Sequence, residues 1–514
     1  MTNLNFRSLI NICSFCLLSA VFTAACGKKD SGPKITKPTD TSGTGGTTTK
    51  NFTIQDSKIL DPNGAEFVAK GVNVNGPYWP WDRPTIPDVS LIADTWKFNT
   101  VRVDCWPEFA IYNSNNTDLD GIVSAFTAKK VVVILEEQNF TNSMPGGADL
   151  TRLNAWWLDI ANRFKNNPYV WFNIMNEPGG ANPAPEAWLN VHDGIIGTIR
   201  NAGAKNIVVC DEYGSGQASG NNDDANSAIL TYGATLAAKY KNILFSLHTY
   251  DQWIYADDRL KNYISKVQAK KLAFILGEYG TGSDVSAEVA TSVFKNVIPL
   301  KIGRIAWQWT GVDVHKLTLS NGGGGWSIDN TSGAKPGNLS FVGNLIWDDN
   351  HTGIDLAGTG MTPPPVLVSN LDFEDGSPVS GSKIDQGWIN FGTAYWDGTP
   401  DNVKNGAWSV KVTSGAAGGF GQLAYLQPGG TYKITAWGKN GGTPGTASSL
   451  GVKYQTDFTG PQTQIASLDF TKSGWEQKSA TFTLPSNLAG VFIFVYKNDA
   501  AIDFWIDNIQ INKI

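Results

Sequence analysis

Cysteine is scarce, with five in 514 residues, and Cys13 and Cys16 fall inside an apolar N-terminal stretch. The other three, Cys26, Cys105 and Cys210, are far apart in sequence, which favours buried free thiols over a disulfide for the last two. Histidine is equally sparse: His192, His248, His315 and His351 show no HxxxH spacing, which argues against a catalytic zinc site. There is no basic stripe, and the net charge of −6 is mild, so nucleic acid is not an expected partner. The one conspicuous apolar run near the start, Leu9–Phe22, is too short to span a membrane.

That run, preceded by Arg7, has the length of a signal-peptide core. It ends in "TAAC" at Thr23–Cys26. Small residues before a cysteine resemble a bacterial lipobox, with Cys26 as the lipidated first residue. Thr23 stands where that pattern has Leu, so cleavage at an A-x-A-like site without lipid is the alternative. The following Gly/Thr/Lys-rich segment cannot build a core and reads as a flexible tether. The expected organisation is a signal peptide (1–25), a tether (26–50), a first globular domain (51–357), a proline-stiffened linker "GTGMTPPPV" (358–366) and a second domain (367–514).

From Asn51 onward, β-branched apolar runs recur. They begin at Phe67, Asn99, Val131, Val170, Asn206, Ile243, Leu272 and Gly303. Such near-continuous runs suit strands buried on both faces of a parallel sheet. Between them lie stretches of helical period, such as "LNAWWLDIANRFKN", and "EAWLNVHDGIIGTIRNAG", which stops at Gly203. Eight βα units predict a (β/α)8 barrel, an α/β fold. A doubly wound open sheet is the rival, but "GVNVNG" is a poor match to its glycine-rich first turn. Past Thr359 the texture changes to short alternating strands such as "GTYKITAWGK" and "GVFIFVYKN", predicting an all-β jelly-roll sandwich.

In such a barrel, chemistry sits where strands end. "WFNIMNEP" carries apolar residues into the barrel, then delivers Asn176 and Glu177 before Pro178 stops the ladder. "FILGEYG" does the same with Glu278. Two carboxylates brought to one mouth from different strands are what glycoside hydrolysis requires. Glu136, Glu137, Asp211 and Glu212 also lie at strand ends; any of them could be catalytic on position alone, and each is otherwise a binding or supporting group. The 19 Trp fit a carbohydrate ligand, because sugar rings stack on aromatic planes, and fit equally a large packed core.

The ordered set "TVRVD", "MNEP", "LHTY", "LGEYG" and "AWQW" on strands two, four, six, seven and eight goes further. With it, Gly71–Trp309 resembles the catalytic barrel of glycoside hydrolase family 5, in clan A. The resemblance implies a retaining mechanism with Glu177 as acid/base and Glu278 as nucleophile. It implies Arg102 and Tyr250 beside Glu278, and Asn176 on the sugar 2-hydroxyl. It also implies that His248 orients the acid or the sugar, with Trp307 under the sugar at the cleavage point. Strand three departs from the family: "LEEQN" puts Gln138 and Asn139 where a His is usual, leaving substrate preference open. Trp79, Trp81, Trp106, Trp253 and Trp326 are candidates for further subsites or for loop packing.

The C-terminal stretches "NLDFEDG", "GAWSV", "LQPGGTYKITAWGK" and "DFWIDNIQI" resemble jelly-roll carbohydrate-binding modules. Trp388, Tyr395, Trp396 and Trp437 are its candidate sugar platforms. Asp507 with the Asp372–Glu374 region is a candidate structural calcium site; no other cofactor is expected. The reading is a monomeric, membrane-anchored endo-β-1,4-glycanase of the outer membrane or cell surface, with mannan or glucomannan slightly favoured over cellulose-type glucan. A non-catalytic surface glycan-binding lipoprotein is the rival from another class.

Overall fold

A computed structural model describes residues 50–514 except 77–85, 107–118, 180–184, 219–225, 251–252, 254–258, 281–288, 311–316, 319–324, 326, 329–333, 358–365, 369, 375–377, 385–387, 443–445, 457–460 and 489. Cys26, Trp79, Trp81, Trp326 and nearly all of the expected linker lie outside the described residues.

The chain enters through a small antiparallel hairpin, β1 (Thr53–Gln55) and β2 (Lys58–Leu60). Eight strands follow: β3 (Lys70–Asn75), β4 (Thr100–Cys105), β5 (Val132–Glu137), β6 (Val170–Asn173), β7 (Val208–Asp211), β8 (Ile243–Thr249), β9 (Phe274–Tyr279) and β10 (Gly303–Ala306). They pair in parallel, and β10 returns to β3, closing a barrel. The eight apolar runs of the sequence are these eight strands.

Helices alternate with the strands and pack outside them: α1 (Ile86–Ser90), α2 (Leu119–Ala128), α3 (Gly147–Phe164), α4 (Pro185–Asn201), α5 (Ala228–Lys239), α6 (Arg259–Ala269), α7 (Lys295–Val297) and α8 (Phe341–His351). In α3 the residues at helical spacing, Leu153, Trp156, Trp157, Ile160, Ala161 and Phe164, form the buried stripe. The Ser227 hydroxyl caps α5 by accepting from the Leu230 amide, and Ser340 caps α8 through Gly343. Past the end of α4, Gly203 takes a left-handed φ of 85°, which glycine supplies without strain. Arg304 on β10 makes a buried two-pronged ion pair with Asp349 on α8, tying the last helix to the closing strand.

The barrel interior changes character along its axis. Where strands begin, it is filled by Val132, Ile134, Trp171, Ile207, Val209, Leu244, Ala273, Ile275 and Ile305. Phe52 seals this end, edge-on to Phe67, Tyr169 and Trp171. Where strands end, the inward positions are Asn73, Asn75, Arg102, Asp104, Glu136, Asn173, Asp211, Ser246, His248 and Glu278, all buried. Each inward position on a strand repeats every second residue, so one strand supplies both levels.

Beyond the barrel lies a sandwich of two antiparallel sheets. One contains β11 (Val366–Leu367), β15 (Gly418–Leu426), β20 (Gly490–Lys497), β17 (Ser448–Gln455) and β18 (Thr463–Phe470), with β12 (Ile389–Asn390) also paired to β15. The other orders β13 (Ala394–Asp397), β14 (Ser409–Val412), β21 (Phe504–Lys513), β16 (Thr431–Asn440) and β19 (Glu476–Thr483). It has its own core, including Phe373, Phe420, Ile434, Ile493 and Phe504. Among the described residues no helix is long and apolar enough to cross a membrane.

Candidate active site

Arg102 occupies the centre of the barrel mouth, 1% exposed. Its Nε donates to Asn173 Oδ1 at 2.8 Å, and one terminal nitrogen donates to Asn73 Oδ1 at 3.0 Å and Glu278 Oε1 at 2.8 Å. The other donates to Asn176 Oδ1 at 2.7 Å and Asp211 Oδ2 at 3.1 Å. Burial alone would weaken its hold on the proton, but the surrounding carboxylates more than reverse this, so Arg102 is a fixed cation.

Glu278 receives a second donor from the Tyr250 hydroxyl, 2.6 Å from Oε2. A carboxylate held on both oxygens presents its charge in one orientation. Its neighbour Gly277 cannot be replaced without collision, since an added Cβ would lie 2.1 Å from Ser246 Oγ. A register shift after Leu247 in the β8–β9 ladder sets His248 opposite Glu278.

Glu177 follows β6 with a left-handed φ of 43°, unusual for a residue with a side chain. Hydrogen bonds hold this conformation from both sides: its carbonyl accepts from Asn142 and its amide donates to Asp211 Oδ2. Its side chain is 16% exposed, and Oε1 lies 3.0 Å from His248 Nδ1. Burial raises the pKa of Glu177 above the ordinary carboxylate value, His248 opposing and Glu278 reinforcing. A proton donor at neutral pH needs such a shift.

The loop after β7 completes this side of the mouth. Gly214 and Ser215 donate their amides to Pro178 and Gly179, and Gly216 packs so closely that an added Cβ would lie 2.7 Å from His248 Nδ1 and 3.1 Å from Glu177 Cγ. Among the described residues, Glu177, His248 and Glu278 are the group of acids and histidines that bring one polar atom each within 4.8 Å of one another.

Residues 60–313 match the family model described as Cellulase (glycosyl hydrolase family 5), and residues 366–501 match one described as a carbohydrate binding domain. The barrel is a family 5 glycosyl hydrolase domain. The chain is 26% identical over 305 residues to a mannan endo-1,4-beta-mannosidase of Cellvibrio japonicus, covering 58% of this chain and 66% of that one. To the enzyme of the same name from Streptomyces lividans it is 24% identical over 298 residues, covering 57% and 72%. To endoglucanase N of Pectobacterium atrosepticum it is 23% identical over 329 residues, covering 61% and 68%.

The family 5 domain thus brings Arg102, Asn176, Glu177, His248, Tyr250 and Glu278 into one network. Trp307 is half-buried just past β10, where its amide donates to the Tyr279 carbonyl. Gln138 and Asn139 are half-buried at the end of β5. The amide of Asn176 is engaged by Arg102 and, through Nδ2, by Thr141. Trp253 is 1% exposed under Arg259 and is packing, not a platform. Glu212 points away from the mouth, accepting from Ser227, Tyr263 and the amides of Tyr213 and Ala228. Cys105 and Cys210 are free and buried. Sequence reasoning passed over Asn73 and Asn173; the available signal was a polar residue at an inward strand position.

In the sandwich, two expected platforms are corrected. Trp388 is 4% exposed, donating to the Asn370 carbonyl, and Trp396 is 1% exposed. Trp396 stands opposite Val410 on the core side of its strand, so a sugar cannot reach either ring. Trp437 is half-buried, with Lys404 Nζ 4.3 Å above its ring, and Tyr395 is also half-buried. On the outer face of the other sheet, half-buried Phe391 and Phe494 flank Phe492. The rings of Phe492 and Phe494 lie nearly parallel, 6.3 Å apart, each lying over a glycine of a neighbouring strand, Gly421 and Gly451, where a Cβ would collide with it.

Among the described residues, Asp372, Glu374 and Asp507 do not bring ligand atoms close enough together to form a metal-binding group. Both oxygens of Glu374 accept the Ala407 amide, and Asp507 Oδ2 accepts the amides of Lys404 and Asn405. Asp507 Oδ1 is buried without a donor among the described residues, and burial raises its pKa to about 6.

Proposed function

We propose that the chain is a retaining endo-β-1,4-glycanase acting on mannan or glucomannan. The observation that supports it best is the short reach between the two carboxylates: one oxygen of Glu177 and one of Glu278 lie within 4.8 Å of each other, with His248 Nδ1 3.0 Å and 3.5 Å from their Oε1 atoms. Retaining enzymes keep their carboxyls about 5 Å apart, while inverting ones leave roughly 6.5–9.5 Å for a water. Glu278, held between Arg102 and Tyr250, attacks the anomeric carbon. Glu177 gives its proton to the leaving oxygen, then takes one from the water that releases the sugar. Similarity to enzymes named mannan endo-1,4-beta-mannosidase supports the mannan side. The endoglucanase relative supports cellulose-type glucan as the second reading. The intact pair speaks against a non-catalytic glycan-binding role.

Product analysis against mannans, glucomannan, cellulose, mixed-linkage glucan and xyloglucan tests this. Mixed oligosaccharides from mannan, released first in the β configuration by NMR, are expected. Inverted product, or no product from any of these, would refute it.

The sandwich is proposed to bind polysaccharide for the barrel, with the half-buried Phe391 and Phe494, packed around buried Phe492, as its platform. Asp507 Oδ1 is proposed as an anchor for a structural cation, since a cation would satisfy that buried oxygen; melting with and without chelator tests it. The chain is proposed to act as a monomer at the outer membrane or cell surface through lipid on Cys26. Each buried CH₂ of such an anchor contributes about 0.8 kcal/mol. Cys26→Ser is expected to release the protein from the membrane fraction; a wild-type protein wholly in the culture fluid would favour plain secretory cleavage.

A further inference from the structure

Asp211 closes β7 and takes no direct part in the chemistry above, yet it touches both halves of it. Its Oδ2 accepts from Arg102, the cation that orients Glu278, and from the backbone amide of Glu177 at 3.4 Å. Its Oδ1 accepts from Asn173 Nδ2 at 3.1 Å. The same Oδ2 lies 3.3 Å from His248 Nε2, an ion-pair contact rather than a well-aligned hydrogen bond.

His248 is therefore enclosed by acids. Nδ1 faces Glu177 Oε1 at 3.0 Å and Glu278 Oε1 at 3.5 Å, while Nε2 faces Asp211. A neutral imidazole carries a proton on one nitrogen and presents a lone pair at the other. Nδ1 lies within hydrogen-bond reach of Glu177 and Nε2 within ion-pair reach of Asp211, so the imidazolium is the form that meets an acid on both sides. The charged and titratable groups around this pair are Arg102 and Asp104 from β4, Glu177 after β6, Glu278 from β9 and Tyr250 behind Glu278.

We propose that Asp211 is a positioning residue for the acid: it holds His248 as a doubly protonated imidazolium that donates its Nδ1 proton to Glu177. Burial pushes the Asp211 pKa up, but His248 and Arg102 bring it down to about 2, so it is an anion throughout the working range. Burial opposes charge on His248, yet Glu278 and Asp211 carry its pKa up to about 10. The imidazolium counteracts the effect of burial on Glu177. It makes the carboxyl a stronger acid when the leaving oxygen needs a proton, and it stabilises the carboxylate once the proton has gone. No proton is consumed in this arrangement, because His248 keeps both of its own.

The inference rests on the glycoside hydrolase reading, and its test separates the two. With four histidines in the chain, the imidazole signals can be assigned and titrated by NMR. Wild-type His248 is expected to stay cationic well above neutrality. In Asp211→Asn its titration should fall toward neutrality. On a soluble manno-oligosaccharide, kcat should drop about tenfold or more, with KM within about threefold. The alkaline limb of kcat should move up, because Glu177 loses the cation that favoured release of its proton. A neutral wild-type His248 at neutral pH would overturn the proposal, and that measurement decides even if the variant does not fold. A loss of rate with the His248 titration unmoved would make Asp211 merely structural and also overturn it. A wild-type protein inactive on every β-glycan would sink the functional reading, and the titration would still decide whether Asp211 keeps His248 charged.

Discussion

Glu177 and Glu278 divide the work through their neighbours. Glu278→Gln and Glu177→Gln are each expected to lower kcat on soluble manno-oligosaccharide by about a hundredfold or more, since one removes the nucleophile and the other the proton donor. Azide should partly restore turnover to Glu278→Ala, because a small anion fits where the carboxylate stood. Near wild-type rates in both amide variants would remove the pair from the mechanism. Glu177 must be protonated to act, and burial raises its pKa. The rate should therefore be sustained below that raised value and fall as pH climbs through it, a limb above the ordinary carboxylate range, measured as kcat against pH. At this scale the sequence was highly legible for the residues at strand ends, because "MNEP" and "LGEYG" mark where apolar runs stop. It was less legible for Asp211, which looked like one of several strand-end acids until its contacts to Arg102 and Glu177 were visible.

Elements set where those residues point. The turn after β7 presses Gly216 against both His248 and Glu177, with a φ of 67° that already disfavours a side chain. Gly216→Ala should lower kcat by about tenfold or more while far-UV circular dichroism is unchanged, because the clash falls on the acid and its partner; an unimpaired variant would show that this loop does not shape the mouth. Arg304 and Asp349 join β10 to α8 in a buried ion pair, so Asp349→Ala should cost about 3 kcal/mol in urea unfolding, the uncompensated cation being the reason. The eight barrel strands could be read from apolar runs, since burial on both faces leaves a continuous signal. The side facing outward in the sandwich could not. Trp396 and Tyr395 are adjacent, and a one-residue choice of parity decides which ring is core. The hairpin of β1 and β2 escaped because three-residue strands carry too little periodicity to detect.

For the whole molecule, two separate cores argue for two separable activities. A chain ending near Gly358 should keep its rate on short soluble oligosaccharide and lose rate on insoluble polymer, where the sandwich supplies local concentration. Loss of turnover on a soluble tetrasaccharide by a folded barrel would abandon that division. Global stability should also respond to acid through His192, buried behind the barrel with Nδ1 on the Trp188 carbonyl. Burial lowers its pKa from 6.5 to about 4. The contribution is whole above 6.5 and lost as pH falls toward 4, on the order of 3 kcal/mol. His192→Gln should flatten that part of the melting-temperature profile. Finally, Phe52 seals the end of the barrel where the strands begin, and Ile54 is pinned there by Asn242. The catalytic mouth is at the opposite pole. The chain therefore joins the barrel at its sealed floor, away from the groups that do the chemistry. Additions or fusions at that end should leave the cleft open to long polymer chains, since Phe52 and the carboxylates occupy opposite ends of the barrel.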